Sequence, residues 1–322
     1  MLEGARVLVT GGTGLIGSHF VEELLQRKAR VRIVVHCRPS PFGARVEAVA
    51  GDLRDSATCE QAASGVDHVI HAAGVSGGSK RIVVDPIPMF TDSLLMNTNV
   101  LEAARLAGVK RYLFVSNSSV YAKSDHMLQE DFAWGPNARG VPENEAGVVK
   151  RTGETQCQLY ARHGGLQIGI VRAGNAYGPR DNFDLEGSHV VPALVRKAVE
   201  RQDPYVVWGA GETVRDFIHA RDIALGGLAI LERYCVCDPV NVATGRVVTI
   251  NDLVQLILAL SGHAPKGIHF DETAPPASPA KRLDTTKMQS LGIRPQLSLE
   301  DGLQDTIQWY RRATTSEMLS PS

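Results

Sequence analysis

Three glycines, Gly11, Gly14 and Gly17, close the apolar run Val7-Leu8-Val9 and open a helical pattern marked by Phe20, Val21, Leu24 and Leu25. Glycine permits positive φ and carries no Cβ, so a backbone built this way can press against a pyrophosphate. The free N–H groups and positive dipole end of the following helix then hold the anion. The spacing predicts a dinucleotide cradle running from Gly11 through Thr13, Gly14, Leu15 and Ile16 to Gly17. A three-glycine string alone is weak; its place at the end of the first strand gives it weight.

The end of the second strand bears on which dinucleotide fits. A carboxylate about twenty residues past the glycines would accept a hydrogen bond from the adenosine ribose 2′-OH and repel a 2′-phosphate. The chain reads Val35-His36-Cys37-Arg38 there, with no acid. With Arg38, and His36 beside it, available as cations, NADP(H) is favoured over NAD(H); the alternative is that Arg38 is a solvated loop residue. Asp52 and Leu53 follow the third strand, which puts Asp52 near the adenine amino group.

These groups need a scaffold of alternating strands and helices. Strands are expected at 31–35, 45–49, 66–71 and 111–115, with a helix at 94–107. Such alternation predicts an α/β fold: a Rossmann-type, doubly wound parallel sheet with ligands at the carboxyl ends of its strands. Val240-Asn241-Val242 reads as a further strand, and 253–260 and 303–310 as amphipathic helices of a smaller lobe. The proline-rich stretch 274–279 is irregular, and the tail 314–322 is expected to be disordered.

Bulk properties narrow the function classes. The 322 residues carry a formal net charge of −1 with no long basic stretch, which argues against nucleic acid or an anionic membrane as partner. No apolar run approaches the ~20 residues of a bilayer span, and no secretory layout precedes the first strand. The cysteines, Cys37, Cys59, Cys157, Cys235 and Cys237, are five and scattered, as expected of reduced thiols in a cytoplasmic protein. The histidines show no metal-ligand spacing. His71 and His219 are expected to pack or hydrogen-bond structurally.

Several motifs together resemble the extended short-chain dehydrogenase/reductases, in particular the NAD(P)-dependent nucleotide-sugar epimerases and dehydratases. They are the glycine turn, His71-Ala72-Ala73-Gly74, Asn175-Ala176-Tyr177-Gly178-Pro179-Arg180-Asp181-Asn182, Val214-Arg215-Asp216-Phe217 and Asn241-Val242-Ala243-Thr244-Gly245. Asp181-Asn182-Phe183 followed by Ser188-His189-Val190-Val191-Pro192 is most similar to the GDP-L-fucose synthases. The resemblance places Ala72, Ala73 and Gly74 against the cofactor. It implies a nucleotide-diphosphate sugar as substrate and a homodimer paired through helices near 94–107 and 149–162.

The family's chemistry uses a Ser or Thr and a Tyr-x-x-x-Lys beside the nicotinamide. Lys150, with Glu154 four residues on, matches the lysine, but the tyrosine position holds Ala146. The Ser/Thr position holds Asn117, which donates and accepts hydrogen bonds but relays no proton. Ser119 stands where fucose synthases carry an acid/base cysteine, and His189 matches their acid/base histidine. The resemblance makes Asn175, His189, Lys197, Trp208, Arg215 and Arg282 substrate contacts, with Arg215 and Arg282 on the diphosphate; Trp208 reads equally as a core aromatic. Residues 1–175 with roughly 216–245 form the expected cofactor domain, and 176–215 with 246–313 the sugar lobe. Three functions fit: an epimerase, dehydratase or reductase with an atypical acid/base set, in which His189, Glu145 or a water on Lys150 supplies the proton; a catalytically weak sensor or partner subunit that binds the same ligands; or an enzyme reassigned to another small molecule.

Overall fold

The computed structural model describes residues 2–75, 86–134, 137–142, 144–271 and 281–319. Seven parallel strands make the main sheet. Six come from the first half: β1 (Arg6–Thr10), β2 (Arg30–Val35), β3 (Glu47–Ala50), β4 (His68–His71), β5 (Arg111–Asn117) and β6 (Gln167–Ala173). After β7 (Asn175–Tyr177), β8 (Tyr205–Trp208), β9 (Val214–Arg215) and β10 (Phe217–His219), the chain returns to add β11 (Val240–Val242) beside β6. The order is β11-β6-β5-β4-β1-β2-β3. It reverses direction at β1, between β2 and β4, and the crevice outside that switch point is where open α/β sheets bind ligands.

The strands are apolar nearly throughout because both faces are covered. On one face Val7, Val9, Ile33 and Leu113 pack against Phe20, Val21 and Leu24 of α1 (Leu15–Gln26) and against Ile223, Leu228 and Leu231 of the helix Ala220–Arg233. On the other, Leu8, Val69, Phe114 and Ile170 meet α2 (Ser56–Ala63) and the helices Pro86–Leu106 and Glu145–His163. A third cluster forms the smaller lobe. There the helices Val190–Val199, Ile250–Ser261 and Leu299–Leu319 pack with β8 around Leu194, Val195, Tyr205, Leu253, Ile257, Leu303 and Ile307.

The expected elements are present with shifted ends. The helix expected at 94–107 is described over Pro86–Leu106. β3 starts at Glu47 because Gly43–Arg45 forms a 3₁₀ turn, and β5 continues two residues beyond Val115 to Asn117. β4 begins at His68, after Val66, which closes a turn onto Ala63. The last helix extends to Leu319, into the tail expected to be disordered, with the Thr314 and Thr315 hydroxyls bonded back to the carbonyls of Tyr310 and Arg311. The proline-rich stretch 274–279 lies outside the described residues.

A backbone bridge also ties a loop of the first half to a segment near the C-terminal end. Leu128 and Leu283 form a parallel bridge, with Leu128 N–H donating to the Arg282 carbonyl at 2.7 Å and Asp284 N–H to the Leu128 carbonyl at 2.9 Å. The Asn241 amide, on β11, donates to the carbonyls of both Leu128 and Asp284.

Candidate active site

The glycine turn sits at the switch point. Gly11 has φ +68°, and a Cβ there would fall 2.8 Å from the backbone of Ala72 and Ala73. A Cβ on Gly17 would lie 2.0 Å from the Gly11 carbonyl, so Gly17 lets α1 seat against the turn. Gly14 differs: its Cβ would meet only that carbonyl, at 3.4 Å, and it caps α1 without a side-chain hydrogen bond. The first-turn N–H groups of Leu15, Ile16 and Gly17 therefore have no capping oxygen from Gly14, and a diphosphate is the anion that suits them. This donor set fits a dinucleotide. Gly12, whose Cβ would collide with Ile33 at 2.7 Å, is a fourth required glycine outside the three-apart pattern.

Behind the turn lies a buried polar chain. The Thr10 hydroxyl meets His71 Nδ1 at 2.7 Å, and His71 Nε2 meets Asn97 Oδ1 at 2.9 Å. The ring stacks on Phe114, and burial pushes its pKa down to about 4. His71 thus packs beside the cofactor crevice as a neutral hydrogen-bonding group, holding the end of β4 whose Ala72-Ala73-Gly74 faces Gly11.

At the end expected to take the adenosine, Asp52 and His36 sit together. Leu53 is buried, but the Asp52 carboxylate is taken by Arg54, whose Nε donates at 2.9 Å, and His36 Nε2 lies 3.5 Å away. The hydrogen bonds from Arg54 hold the Asp52 carboxyl below its ordinary range. Arg38 is exposed on the loop after β2.

The catalytic corner forms where β5 ends against the helix Glu145–His163. Asn144 caps that helix through Gly147 N–H, which puts Ala146 in its first turn and Lys150 one turn on. Lys150 Nζ donates to the Val115 carbonyl at 2.8 Å, lies 5.2 Å from the Phe114 ring centre, and is 4.0 Å from where a Cβ on Gly74 would stand. Burial lowers its pKa to about 8, against the opposing pull of Glu154. Asn117 turns its carbonyl inward: Oδ1 accepts from Ser119 N–H at 3.0 Å and from the Ser119 hydroxyl. Ser119 is thereby held by Asn117. His189 caps the helix Val190–Val199 without a side-chain bond, and desolvation lowers the pKa of its ring.

Beneath the corner is a knot of buried charge. Arg172, on β6, and Glu154, both fully enclosed, pair through Nη2–Oε2 at 2.7 Å and Nε–Oε1 at 3.0 Å. The carboxylate also accepts from Ser116 at 2.7 Å and Trp134 Nε1 at 2.7 Å. Burial alone would raise the Glu154 pKa, but Arg172 and these donors bring it below the ordinary value. Arg172 Nη1 reaches Tyr121 Oη at 2.9 Å, and Tyr121 donates to Asn241 Oδ1 at 2.6 Å. The sequence signal was an arginine inside the apolar run of β6, Ile170-Val171-Arg172-Ala173, since a charge on a two-faced buried strand must be paired.

In the smaller lobe Lys197 Nζ lies 5.9 Å from the Trp208 ring centre and donates to the Val206 carbonyl at 2.8 Å. Trp208 is 55% exposed, which removes the core-aromatic reading and leaves a cation–aromatic platform facing outward. Asn175 Nδ2 donates to the Asp216 carbonyl at 2.8 Å. The Asp216 carboxylate accepts from Thr244 and Gly245 N–H, and Asp222 from Gln296 and Leu297 N–H. Arg215, half-buried on β9, donates to the Val214 carbonyl at 2.9 Å. Arg282 is exposed with its carbonyl bound to Leu128. His219 caps the helix Ala220–Arg233 through Arg221 N–H, the structural role expected of it. Among the described residues no cluster of three His, Cys, Asp or Glu side chains could hold a metal, and no helix is long and apolar enough to cross a membrane.

Sheet order, glycine turn and the Lys150 corner define an extended short-chain dehydrogenase/reductase. The model of the NAD-dependent epimerase/dehydratase family matches residues 7–243, and the chain belongs to that family. It is 33% identical over 316 residues to GDP-L-fucose synthase 1 of Arabidopsis thaliana, covering 96% of this chain and 94% of the relative. To a dTDP-4-dehydro-6-deoxy-D-allose reductase of a Streptomyces species it is 31% identical over 326 residues, covering 96% and 97%. The solved UDP-glucose 4-epimerase of Thermotoga maritima with UDP-glucose superposes with a TM-score of 0.84 at 25% identity, over 96% of this chain and 99% of that one. The dTDP-glucose 4,6-dehydratase of Streptomyces venezuelae with NAD superposes with a TM-score of 0.84 at 26% identity, over 98% and 100%.

Proposed function

We propose that this chain acts on a nucleotide-diphosphate sugar as an epimerase, dehydratase or reductase of the GDP-L-fucose-synthase kind, with NADP(H) preferred over NAD(H) and an acid/base set that dispenses with the usual tyrosine. The observation that supports this most is Lys150, whose amine stands between Val115 and Gly74 with its pKa lowered to about 8 by burial. The cofactor, when bound, supplies or takes a hydride. What the protein contributes is positioning and a proton. Gly11 to Gly17 hold the diphosphate of the dinucleotide, and Arg215 with Arg282 grip that of the sugar. With Ala146 in place of a phenol, the ammonium of Lys150 gives its proton to the sugar oxygen through a water, and His189 serves a ring carbon that must exchange its proton.

A second reading, a sensor or partner subunit, is favoured by the same corner: Asn117 and Ala146 carry no transferable proton, and Ser119 already donates to Asn117. Purified protein incubated with GDP-, UDP- and dTDP-linked 4-keto sugars and NADPH in deuterated water separates the two. Reduced or deuterated product, lost in Lys150→Ala or His189→Ala, is expected of the enzyme; tight sugar binding with neither product nor deuterium means the binding module.

We also propose a homodimer through the helices Pro86–Leu106 and Glu145–His163, which pack side by side and expose Ile87, Leu95, Leu106, Val148 and Leu159. Sedimentation equilibrium of the wild type and of Leu95→Glu/Leu159→Glu tests it.

A further inference from the structure

The five thiols differ sharply in their surroundings. Cys59 and Cys157 are buried, Cys235 and Cys237 half-buried, and Cys37 is exposed. Burial pushes the thiols of Cys59 and Cys235 up to about 12 and that of Cys237 to about 11, and holds Cys157 well above the ordinary range. Those four are inert at neutral pH, because the thiolate is the nucleophile.

Cys37 stands two residues beyond β2. That strand runs parallel to β1, with Ile33 opposite Val9, and to β3, with Val35 opposite Ala50. The segments that follow the three strands therefore leave the sheet at one end, the end that carries the glycine turn. There Cys37 Sγ lies 3.1 Å from His36 Nδ1, and His36 Nε2 lies 3.5 Å from Asp52 Oδ2, the oxygen that also accepts from Arg54 Nε. A carboxylate only accepts hydrogen bonds, so Asp52 favours the imidazole tautomer with its hydrogen on Nε2. The lone pair of Nδ1 then faces the thiol. Nucleophile, base and orienting acid stand in line at the rim of the crevice.

We propose that Cys37 is a reversible modification site for a low-molecular-weight disulfide, with His36 as its base and Asp52 positioning the ring, and that the mixed disulfide and a bound dinucleotide exclude one another. The exclusion rests on the reading of the glycine turn as a dinucleotide site; the reactivity of the thiol does not. Cys37 Sγ passes its proton to His36 Nδ1 and attacks one sulfur of the disulfide. The old S–S bond breaks as the new one forms, and the departing thiolate takes the proton from His36. No further oxidant is needed.

Reaction of the full chain with 4,4′-dithiodipyridine, followed by thiopyridone release and intact mass, tests the site. One thiol should react ahead of the others, Cys37→Ser should remove it, and His36→Gln should slow it about tenfold or more. His36→Asn serves should His36→Gln fail to fold. Asp52→Ala should slow the same thiol and Asp52→Glu restore most of the rate, whereas losing a nearby negative charge would by itself speed thiolate formation. Saturating NADPH should protect Cys37, and the modified protein should lose NADPH binding until dithiothreitol restores it, while Cys37→Ser binds NADPH before and after the reagent. A Cys37 no faster than in His36→Gln, a fast thiol that survives Cys37→Ser, or a faster reaction in Asp52→Ala overturns the site. Modified protein that binds NADPH as tightly as before overturns the exclusion and leaves the cofactor reading standing. Unmodified protein that binds neither NADPH nor NADH removes the cofactor reading and the exclusion together, and the thiol rates still decide the site.

Discussion

The glycine cradle and the catalytic corner face the same crevice and are built on different terms. The cradle depends on what is missing: Gly11 and Gly17 work because no Cβ can stand 2.8 or 2.0 Å from a neighbouring backbone. The corner depends on what side chains deliver, and there Asn117, whose carbonyl oxygen is held by Ser119, lies near Lys150, bonded to the Val115 carbonyl. Binding and chemistry are therefore separable in this fold. The backbone site admits no side chain at Gly11 or Gly17. A proton-transfer site can be rebuilt from another group, because a positioned acid or base contributes about 10²- to 10⁴-fold in rate and no more.

Four experiments probe that division of labour. The largest effect is expected from the support beneath the corner: Glu154→Ala strands the Arg172 guanidinium in the interior and should cost about 3–5 kcal/mol in urea unfolding. A loss below about 1 kcal/mol would mean that water or a rearranged side chain replaces the carboxylate. Next, Ala146→Tyr returns a phenol one turn before Lys150 and should raise the single-turnover rate of NADPH oxidation by about 10²-fold or more. An unchanged rate would show the corner rebuilt for a reaction the phenol does not serve. Third, Lys150 is protonated below its pKa of about 8 and neutral above it. Reductive turnover should fall as pH rises through 8, up to about tenfold per unit, and Lys150→Arg should carry that inflection out of the accessible range. The smallest effect is in the cradle. Gly14→Ala adds a Cβ that the protein itself accommodates, so calorimetry should find dinucleotide binding weaker by about fivefold, near 1 kcal/mol, with the melting temperature unmoved. Gly17→Ala should instead lower the melting temperature.

Much of the scaffold is legible in the chain because it is local. The strand, glycine turn and helix of residues 6–26 announce themselves by period and by residue type, and Val240–Val242 reads as a strand from three residues. The site is legible only where a residue's identity fixes its role, as at Gly11. What stays hidden is contact between distant segments. Nothing near Arg54 says that Asp92, on a distant helix, will take its Nη1 while Asp52 takes its Nε. Trp208 is ambiguous in the sequence for a related reason: an aromatic on a short strand turns to core or solvent according to the pairing of β8 with β12 (Ile268–Asp271), which alternation over four residues leaves open.

The lacing of residues 128 and 283 through Asn241 sets a condition on how such proteins can be recombined. Arg282 owes its position to the backbone of a loop from the first half, whose own carbonyl is gripped by the last strand of the sheet. A chimera that joins the second half of one relative to the first half of another must carry residues 121–134 and 281–284 as a matched set. Swapped separately, they would lose the backbone bridge between Leu128 and Leu283 that holds the segment in register.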